Sequence, residues 1–333
     1  MKQRIEYIDL AKGICIFLVV LYHELYYYQI CSTLYMVLGF IVNPLFFILS
    51  GIFFNKYNGF VDFAIRKTNK ILVPFFSFWL LTCVFQDYLF GNMGMVKLSR
   101  EIFYNETVHY NYAIWFLLCL FEINIMFYLL KKIRSTIILV IMVCLFCISG
   151  ILLNYFNVNL PCYIDHAITN LPFFAYGYFL NQYTRFLTIR TKYKRDCTTI
   201  CVCALLYYLF CEEITFGKDY TWILNSFKYY SIGILGTMMI LIFARLLKKV
   251  QPFSYWGRNS IVILCIHFAL LPHIKRVFDR MAIDHTLAFV MNLLLTMILC
   301  TICIPLLKRY IPYIIAQKDL LKYKRISPYT VEK

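Results

Sequence analysis

The stretch YIDLAKGICIFLVVLYHE, Tyr7–Glu24, decides how this chain folds. It is apolar enough to cross a bilayer, because a helix of about 20 mainly apolar residues spans the ~30 Å hydrocarbon core. Yet it carries four ionisable side chains, Asp9, Lys12, His23 and Glu24. A charge at the bilayer centre costs ~2.5–3.5 kcal/mol on insertion scales. These residues therefore need protein partners or a position near the membrane surface.

The whole chain has the same apolar character. Its 333 residues are 62% hydrophobic and 15% charged, and its mean hydropathy is +0.69. A soluble domain of this length cannot bury so much apolar surface, so we predict an all-α, polytopic transmembrane helical bundle. We expect one domain over residues 1–333, with a short basic tail from about residue 308. The predicted spans, about ten, are 8–28, 33–54, 71–90, 112–130, 137–155, 164–181, 198–212, 229–247, 260–272 and 287–307.

The first and ninth predicted spans have unusual features. No small-residue cleavage site follows the first, so we expect a retained helix and not a signal peptide. The ninth, SIVILCIHFALLP, is short and ends at Pro272, which is typical of a tilted, broken or partly inserted helix. If it does not insert, nine spans remain and the C-terminus moves to the other side.

The net charge of +16 follows the predicted topology. Basic residues gather in every second connection, which is the positive-inside pattern and predicts that both termini are cytoplasmic. No basic face alternates with stacking aromatic residues outside the membrane, so we expect no nucleic-acid partner. The basic groups are Lys2 and Arg4; Lys56, Arg66, Lys67 and Lys70; Lys131, Lys132 and Arg134; Arg185, Arg190, Lys192, Lys194 and Arg195; Lys248, Lys249 and Arg258; and the tail.

The cysteines predict no metal site. Most of the 14 lie inside apolar runs, and the two C-x-x-C pairs, Cys144/Cys147 and Cys300/Cys303, have no neighbouring histidine. We interpret them as small apolar residues between packed helices.

Helical geometry places three of the four ionisable residues on one stripe. At ~100° per residue, Lys12 and His23 differ by about 20°, and Asp9 and His23 by about 40° in the other direction. Glu24 points about 100° away from His23. Because each residue rises ~1.5 Å, His23 lies about 22 Å beyond Ile8, whereas Asp9 and Lys12 stay near the surface.

This arrangement suits acyl transfer from an activated thioester. A histidine near neutral pKa can deprotonate an acceptor hydroxyl, and basic residues at the mouth suit the phosphates of a nucleotide-based donor. Glu122, midway along WFLLCLFEINIMFY, is a second ionisable residue at membrane depth and a candidate partner for His23. Two alternatives stay open. Asp9 and Lys12 can be an interfacial anchor, and His23 can be a neutral histidine bonded to another helix.

Several segments, in this order, resemble the acyltransferase-3 family of integral membrane O-acyltransferases. The hallmark of its first helix is a basic residue, ten further residues and a histidine, as in Lys12 and His23. The resemblance covers roughly residues 4 to 310. The segments are RIEYIDLAKGICIFLVVLYH (4–23), NPLFFILSGIFF (43–54), IWFLLCLF (114–121), LPFFAYGYFL (171–180) and YWGRNSIVILCIHF (255–268).

The resemblance implies a function and roles for residues. Family members move an acyl group, usually acetyl, from cytoplasmic acyl-CoA to a hydroxyl of an extracytoplasmic glycan or lipid-linked sugar. His23 corresponds to the catalytic base or acyl relay and Lys12 to its companion, with Asp9 beside it. An arginine pair linked to the CoA site corresponds to RKTNK here, so Arg66, Lys67 and Lys70 are expected to bind the donor or only to anchor the chain.

The resemblance also implies substrate contacts and a location. His267 matches a late histidine of the family and is either a candidate on the acceptor side or a packing histidine. Glu122 and Trp115 are further candidates on the acceptor side. Interfacial His109, Tyr110, Tyr112, Asp165 and His166 are further candidates for sugar contact. We expect a multi-pass protein of a bacterial plasma membrane. It would act on a lipid-linked or exported glycan, either directly or with a partner protein or as a homo-oligomer, because no extracytoplasmic domain is expected.

A transporter is the alternative class. It would export a glycan or lipid-linked precursor and use His23 and Glu122 as a proton relay. Transporters usually contain inverted repeats and paired broken helices, whereas this sequence shows no repeat and one candidate broken span. The enzyme also explains why a basic residue shares the stripe of His23.

Overall fold

The protein is helical throughout the part of the chain that the structure describes. A computed structural model describes residues 5–90, 111–184, 186–188, 191–211 and 222–322. Helices contain 84% of these described residues, and none of the described residues forms a strand. The helices are α1 Glu6–Tyr28, α2 Ser32–Ile52, α3 Gly59–Lys67, α4 Val73–Phe90, α5 Trp115–Leu130, α6 Thr136–Tyr155, α7 Ile164–Thr184, α8 Tyr193–Cys211, α9 Trp222–Leu247, α10 Phe253–Arg258, α11 Ser260–Arg280 and α12 His285–Tyr310.

Each of the ten predicted segments coincides with a helix, and the largest difference concerns the ninth. The sequence predicted an end at Pro272, but α11 continues to Arg280 and has 21 residues. A proline removes one backbone donor, and membrane helices tolerate this loss where neighbouring helices satisfy the freed groups. The segment expected to be short or broken is therefore a continuous helix.

Six helices in the described ranges are long and apolar enough to cross a membrane, namely those within residues 32–52, 112–130, 136–155, 225–247, 260–280 and 285–310. The count of ten spans and the cytoplasmic position of the termini stay predictions. His109 and Tyr110 lie outside the described residues. So do several basic residues of the topology argument (Lys2, Arg4, Arg185 and Arg190) and the tail beyond residue 322.

The outer surface of the bundle is suited to lipid. On α6, which packs against α7, the side chains of Ile137, Ile141 and Ile148 are exposed. An aliphatic surface as extensive as this one needs an apolar solvent. The helix with the highest apolar content is thus at the periphery.

The polar helix α1 lies in the interior instead. It packs against α2, α9, α10, α11 and α12. Its buried residues cover several faces, with Ile16 and Val20 fully buried and His23 and Glu24 also buried. The ionisable side chains of α1 therefore meet protein and not lipid tails, which is how intramembrane charges are normally accommodated.

Two glycines let α10 approach α1 closely. A Cβ atom on Gly257 would collide with the backbone oxygen of Asp9, and one on Gly13 would collide with the backbone oxygen of Phe253. Small residues permit such close contact of helix backbones in membranes. The short helix α10, which the sequence did not predict, is thereby fixed against the first turns of α1.

We expect Gly257→Ala to destabilise the protein by about 1–3 kcal/mol, because an added methyl group must separate two packed backbones. The measurement is thermal unfolding of the purified protein in one detergent. Gly39→Ala on α2 is the matched control, since its Cβ would meet only the movable Tyr22 side chain, at 3.3 Å. Equal midpoints for the two variants would contradict the close contact.

Candidate active site

One end of the bundle contains a cavity of about 1070 Å³. Its walls come from α1, α2, α3, α5 and α11, from the π-helical segment Thr68–Leu72 and from residues 319–322. Apolar side chains such as Phe46, Phe53 and Phe116 line it together with five cations. We call it the basic cavity, after Lys12, Arg66, Lys67, Lys70 and Lys322.

Local interactions of α3 place the RKTNK segment at this cavity. The buried Asp62 accepts a hydrogen bond from the Asn58 backbone N–H (3.0 Å) in the turn before α3. Its other oxygen accepts from Arg66 Nε at 2.6 Å, one turn further along the helix. The chain then continues into the π-helical segment, a rare geometry that often occurs at functional sites.

Lys67 and Lys12 lie against aromatic rings of the cavity wall. Lys67 Nζ is 5.7 Å from the ring centroid of Phe54 and 5.8 Å from that of Tyr57. Burial lowers the pKa of Lys67 to about 8. Lys12 Nζ is 5.0 Å from the ring centroid of Phe53. Ring faces hold cations more weakly than carboxylates do, so an incoming anion can recruit Lys67.

The structure thus brings Arg66, Lys67 and Lys70, the predicted donor-binding residues, to the same cavity as Lys12. That they bind the donor stays a prediction. Lys322 was not predicted, because no local pattern connects it to a segment about 250 residues earlier. Asp9 is buried one turn before Lys12, where the α1 backbone meets Gly257. Its role as a companion of the catalytic residues stays a prediction.

His23 lies against a second histidine. Its ring centroid is 5.4 Å from that of His267 on α11, and both side chains are buried. Phe268 packs edge-on against His23 with centroids 5.0 Å apart, and Tyr22 does so at 5.3 Å. The sequence suggested both histidines but did not predict that they meet.

The hydrogen bond of His267 fixes its tautomer. Its Nδ1 lies 2.8 Å from the backbone oxygen of Ile263, which can only accept, so Nδ1 carries the hydrogen. In the neutral ring Nε2 then presents a lone pair. This nitrogen is buried and has no hydrogen-bond partner among the residues described. His267 can therefore accept a proton.

The basic cavity ends about one helical turn from the histidine pair. Ser260, Ile261 and Leu264 of α11 line the cavity, and His267 follows Leu264 by three residues, about 4.5 Å along the axis. On α1, Lys12 and His23 are eleven residues apart, which corresponds to about 16 Å. The two helices therefore connect the cationic mouth to the buried imidazoles.

Glu122 is not the partner of His23. Glu122 interacts electrostatically with Asp165, whereas the His23 ring packs against the His267 ring. Asp165 lies 3.8 Å from His166 Nε2, and the His166 ring packs on Trp115 with centroids 4.9 Å apart. These residues form a separate cluster between α5 and α7.

Glu24, which sequence reasoning left without a role, faces α12. It is fully buried, and its Oε1 lies 3.4 Å from Thr296 Oγ1, which is also 3.2 Å from Asn292 Oδ1. Asn292 Nδ2 donates to the Tyr28 hydroxyl at 3.2 Å. The offset of about 100° from His23 was the signal that Glu24 belongs to another interface.

Comparison with known protein families identifies the family of this chain. The model of the acyltransferase-3 family, described as an acyltransferase domain, matches residues 5–308. Comparison with curated proteins and with solved structures finds no match. The match covers most of the chain, including Lys12, His23, the RKTNK segment and His267. The chain therefore belongs to the acyltransferase-3 family, and it is a multi-pass membrane acyltransferase.

Proposed function

We propose that this protein is an O-acyltransferase. It moves an acyl group, acetyl in the first instance, from cytoplasmic acyl-CoA to a hydroxyl of an extracytoplasmic or lipid-linked glycan. The observation that carries the proposal is the course of α1, which contributes Lys12 to the basic cavity and His23 to the buried histidine pair beyond it. One helix thus provides both a cation for the anionic donor and the buried base.

The basic cavity has the chemical groups that acyl-CoA requires. Coenzyme A carries phosphates and an adenine ring at one end and a long, thin arm that ends in the thioester. Cations and aromatic rings at the mouth suit the first part. Apolar side chains near the inner end, such as Leu117, Leu120 and Leu264, suit the arm. Arg66 uses one of its five N–H donors for Asp62, and the guanidinium has four others for phosphate oxygens.

The histidine pair would perform the transfer. One imidazole takes the proton from the acceptor hydroxyl while its oxygen attacks the thioester carbonyl carbon. The C–S bond then breaks, the ester forms, and the imidazolium returns the proton to the CoA thiolate. Two imidazoles packed together disfavour double protonation, so the pair retains a neutral base.

The cluster between α5 and α7 is our candidate for the acceptor side. Trp115 and His166 pack together, and the Tyr163 ring adds to them with centroids 5.9 Å from Trp115. Aromatic faces of this kind suit the apolar faces of sugar rings, while Asp165 and Glu122 are acceptors for sugar hydroxyls. The enzyme would act as one domain over residues 1–333 in a bacterial plasma membrane, directly or with a partner protein or as a homo-oligomer.

We expect His23→Ala to lower transfer by about 10²–10⁴-fold, the usual contribution of a general base. The measurement follows label from radioactive acetyl-CoA into the lipid-linked and polymeric glycans of membranes that contain the protein. Tyr26→Phe, three residues further along α1 at an exposed position, is the control and should keep normal activity. CoA binding should survive in both variants, and normal transfer by His23→Ala would refute the role of His23.

We expect His23 and His267 to act in one step. His267→Ala alone should then reduce transfer, but the double variant should be no slower than His23→Ala, because residues that act as a unit have non-additive effects. Rates of CoA release by the four proteins provide the test. Losses that multiply in the double variant would show that His267 acts independently.

Donor binding should depend on pH through Lys67. Its pKa of about 8 means that the ammonium is present at pH 7 and is lost as the pH rises through 8, so CoA binding should weaken up to about tenfold per pH unit there. Lys67→Arg should abolish this dependence, because arginine stays charged. The wild type and the Lys67→Arg variant share all other charged or titratable side chains of the cavity, so these cannot account for a difference between the two. They are Lys12, Tyr57, Asp62, Arg66, Lys70, Asp319 and Lys322.

Calorimetric titration with CoA between pH 7 and 9.5 at fixed ionic strength measures this effect. The terminal phosphate of CoA, whose second pKa is about 6, is already about 90% doubly ionised at pH 7, and its remaining titration is the same for both proteins. If the CoA affinity of the wild type and that of Lys67→Arg depend on pH in the same way, Lys67 is not the source of the pH dependence.

A further inference from the structure

The chain returns to the basic cavity after its last long helix. The family match ends at residue 308 and α12 ends at Tyr310. Residues 311–322, which we call the strap, then cross the end of the bundle that contains the cavity. The strap is anchored in the core by Ile315, which is fully buried.

Asn69 holds the strap with two hydrogen bonds. Its Nδ2 donates to the Leu321 backbone oxygen at 2.9 Å, and its Oδ1 accepts from the Leu321 backbone N–H at 2.8 Å. The Asn69 side chain is almost fully buried, with 2% exposed. An amide that satisfies both backbone groups of one residue fixes the position and direction of that residue.

Lys70 makes a second connection between the same two segments. Its Nζ donates to the Ala316 backbone oxygen at 2.8 Å and lies 3.0 Å from Asp319 Oδ1. Both side chains are about half exposed, so this ion pair alone contributes little stability. Its effect is to engage Lys70 with the strap, whereas Lys67, three residues earlier, lies against the rings of the cavity wall.

The strap also contributes directly to the cavity. Asp319, Leu321 and Lys322 belong to its wall, together with Lys12 and Arg66 from the other side. The two hydrogen bonds of Asn69, which we call the Asn69 clamp, fix the backbone of Leu321. Because Lys322 follows Leu321 directly, the clamp also determines where the Lys322 backbone lies. A segment beyond the family domain thereby carries a cation to the mouth of the cavity.

We propose that the strap is part of the acyl-CoA site and that Lys322 binds a phosphate of the donor. This inference rests on the proposed function. It divides the RKTNK segment between two tasks, since Arg66 and Lys67 serve the donor while Asn69 and Lys70 hold the strap that completes the donor site.

Lys322→Gln tests this role against a matched lysine. Lys318 lies on the same strap but not in the cavity wall, and its Nζ is 5.9 Å from the Tyr313 ring centroid. Both substitutions remove one positive charge, so long-range electrostatics change equally. We expect Lys322→Gln to weaken CoA binding about threefold to tenfold, as the loss of one partly exposed charge-assisted hydrogen bond would, and Lys318→Gln to change it less than about twofold.

Asn69→Ala tests the clamp. It should weaken CoA binding by roughly tenfold, since it removes two hydrogen bonds that order the strap, and it should accelerate tryptic cleavage after Lys318 and Lys322. CoA should slow that cleavage in the wild type. The full-length protein in lipid nanodiscs is used for every measurement, with CoA as the ligand, and Lys322→Gln remains informative if Asn69→Ala does not fold.

The outcomes separate this inference from the proposed function. If the wild type binds CoA and Lys322→Gln binds it equally well, the strap has no part in the site while the acyltransferase assignment stands. If the folded wild type does not bind CoA, the proposed donor is wrong and the inference fails with it.

Discussion

The structure depends on one constraint, which is that a helix carrying Asp9, Lys12, His23 and Glu24 must be surrounded by protein. Lipid offers no partners for such groups, so α1 is placed among five other helices. Close packing is needed to exclude lipid from its polar faces, and the contact of Gly13 and Gly257 provides it at one end. The most apolar helices, by contrast, need no protein on their outer side, and α6 is largely exposed.

The neighbouring residues His23 and Glu24 give α1 two distinct faces. His23 packs on α11 through His267, and Glu24 contacts α12 through Thr296. Because these faces are about 100° apart, the polar network on one side fixes the rotation of α1 and hence the direction of His23. A buried network of this kind costs desolvation free energy, and it specifies a unique packing in return.

The sequence predicted the helical architecture, and it singled out candidate residues, Lys12, Arg66, Lys67, Lys70, His23 and His267, that the structure places at the basic cavity or in the histidine pair. Apolar runs of membrane length predicted the ten segments that form helices, and the stripe of Lys12 and His23 followed from helical periodicity. Periodicity operates within one helix, so it could not show that His267 and not Glu122 meets His23. Nor could it predict the short helices α3 and α10, whose positions depend on tertiary packing.

The strap was missed for a related reason. It was interpreted as part of a basic tail, since a run of lysines near the end of a membrane protein satisfies the charge rule without further assumptions. Its role in the structure comes from the pairing of Asn69 with the Leu321 backbone, two positions 252 residues apart. Neither asparagine nor backbone groups have a hydropathy or charge signal that could connect them.

The separation of the basic cavity from the histidine pair bears on how such an enzyme avoids hydrolysing its donor. Water enters an open, polar mouth freely, and a base exposed there would activate water as readily as a sugar hydroxyl. His23 and His267 are instead buried about one turn beyond Leu264, among the rings of Tyr22 and Phe268. Under the proposed function, only the slender end of the donor would reach them from the cavity. The acceptor would then have to come from the opposite side, so the barrier between the cavity and the imidazoles would favour transfer across the membrane over hydrolysis.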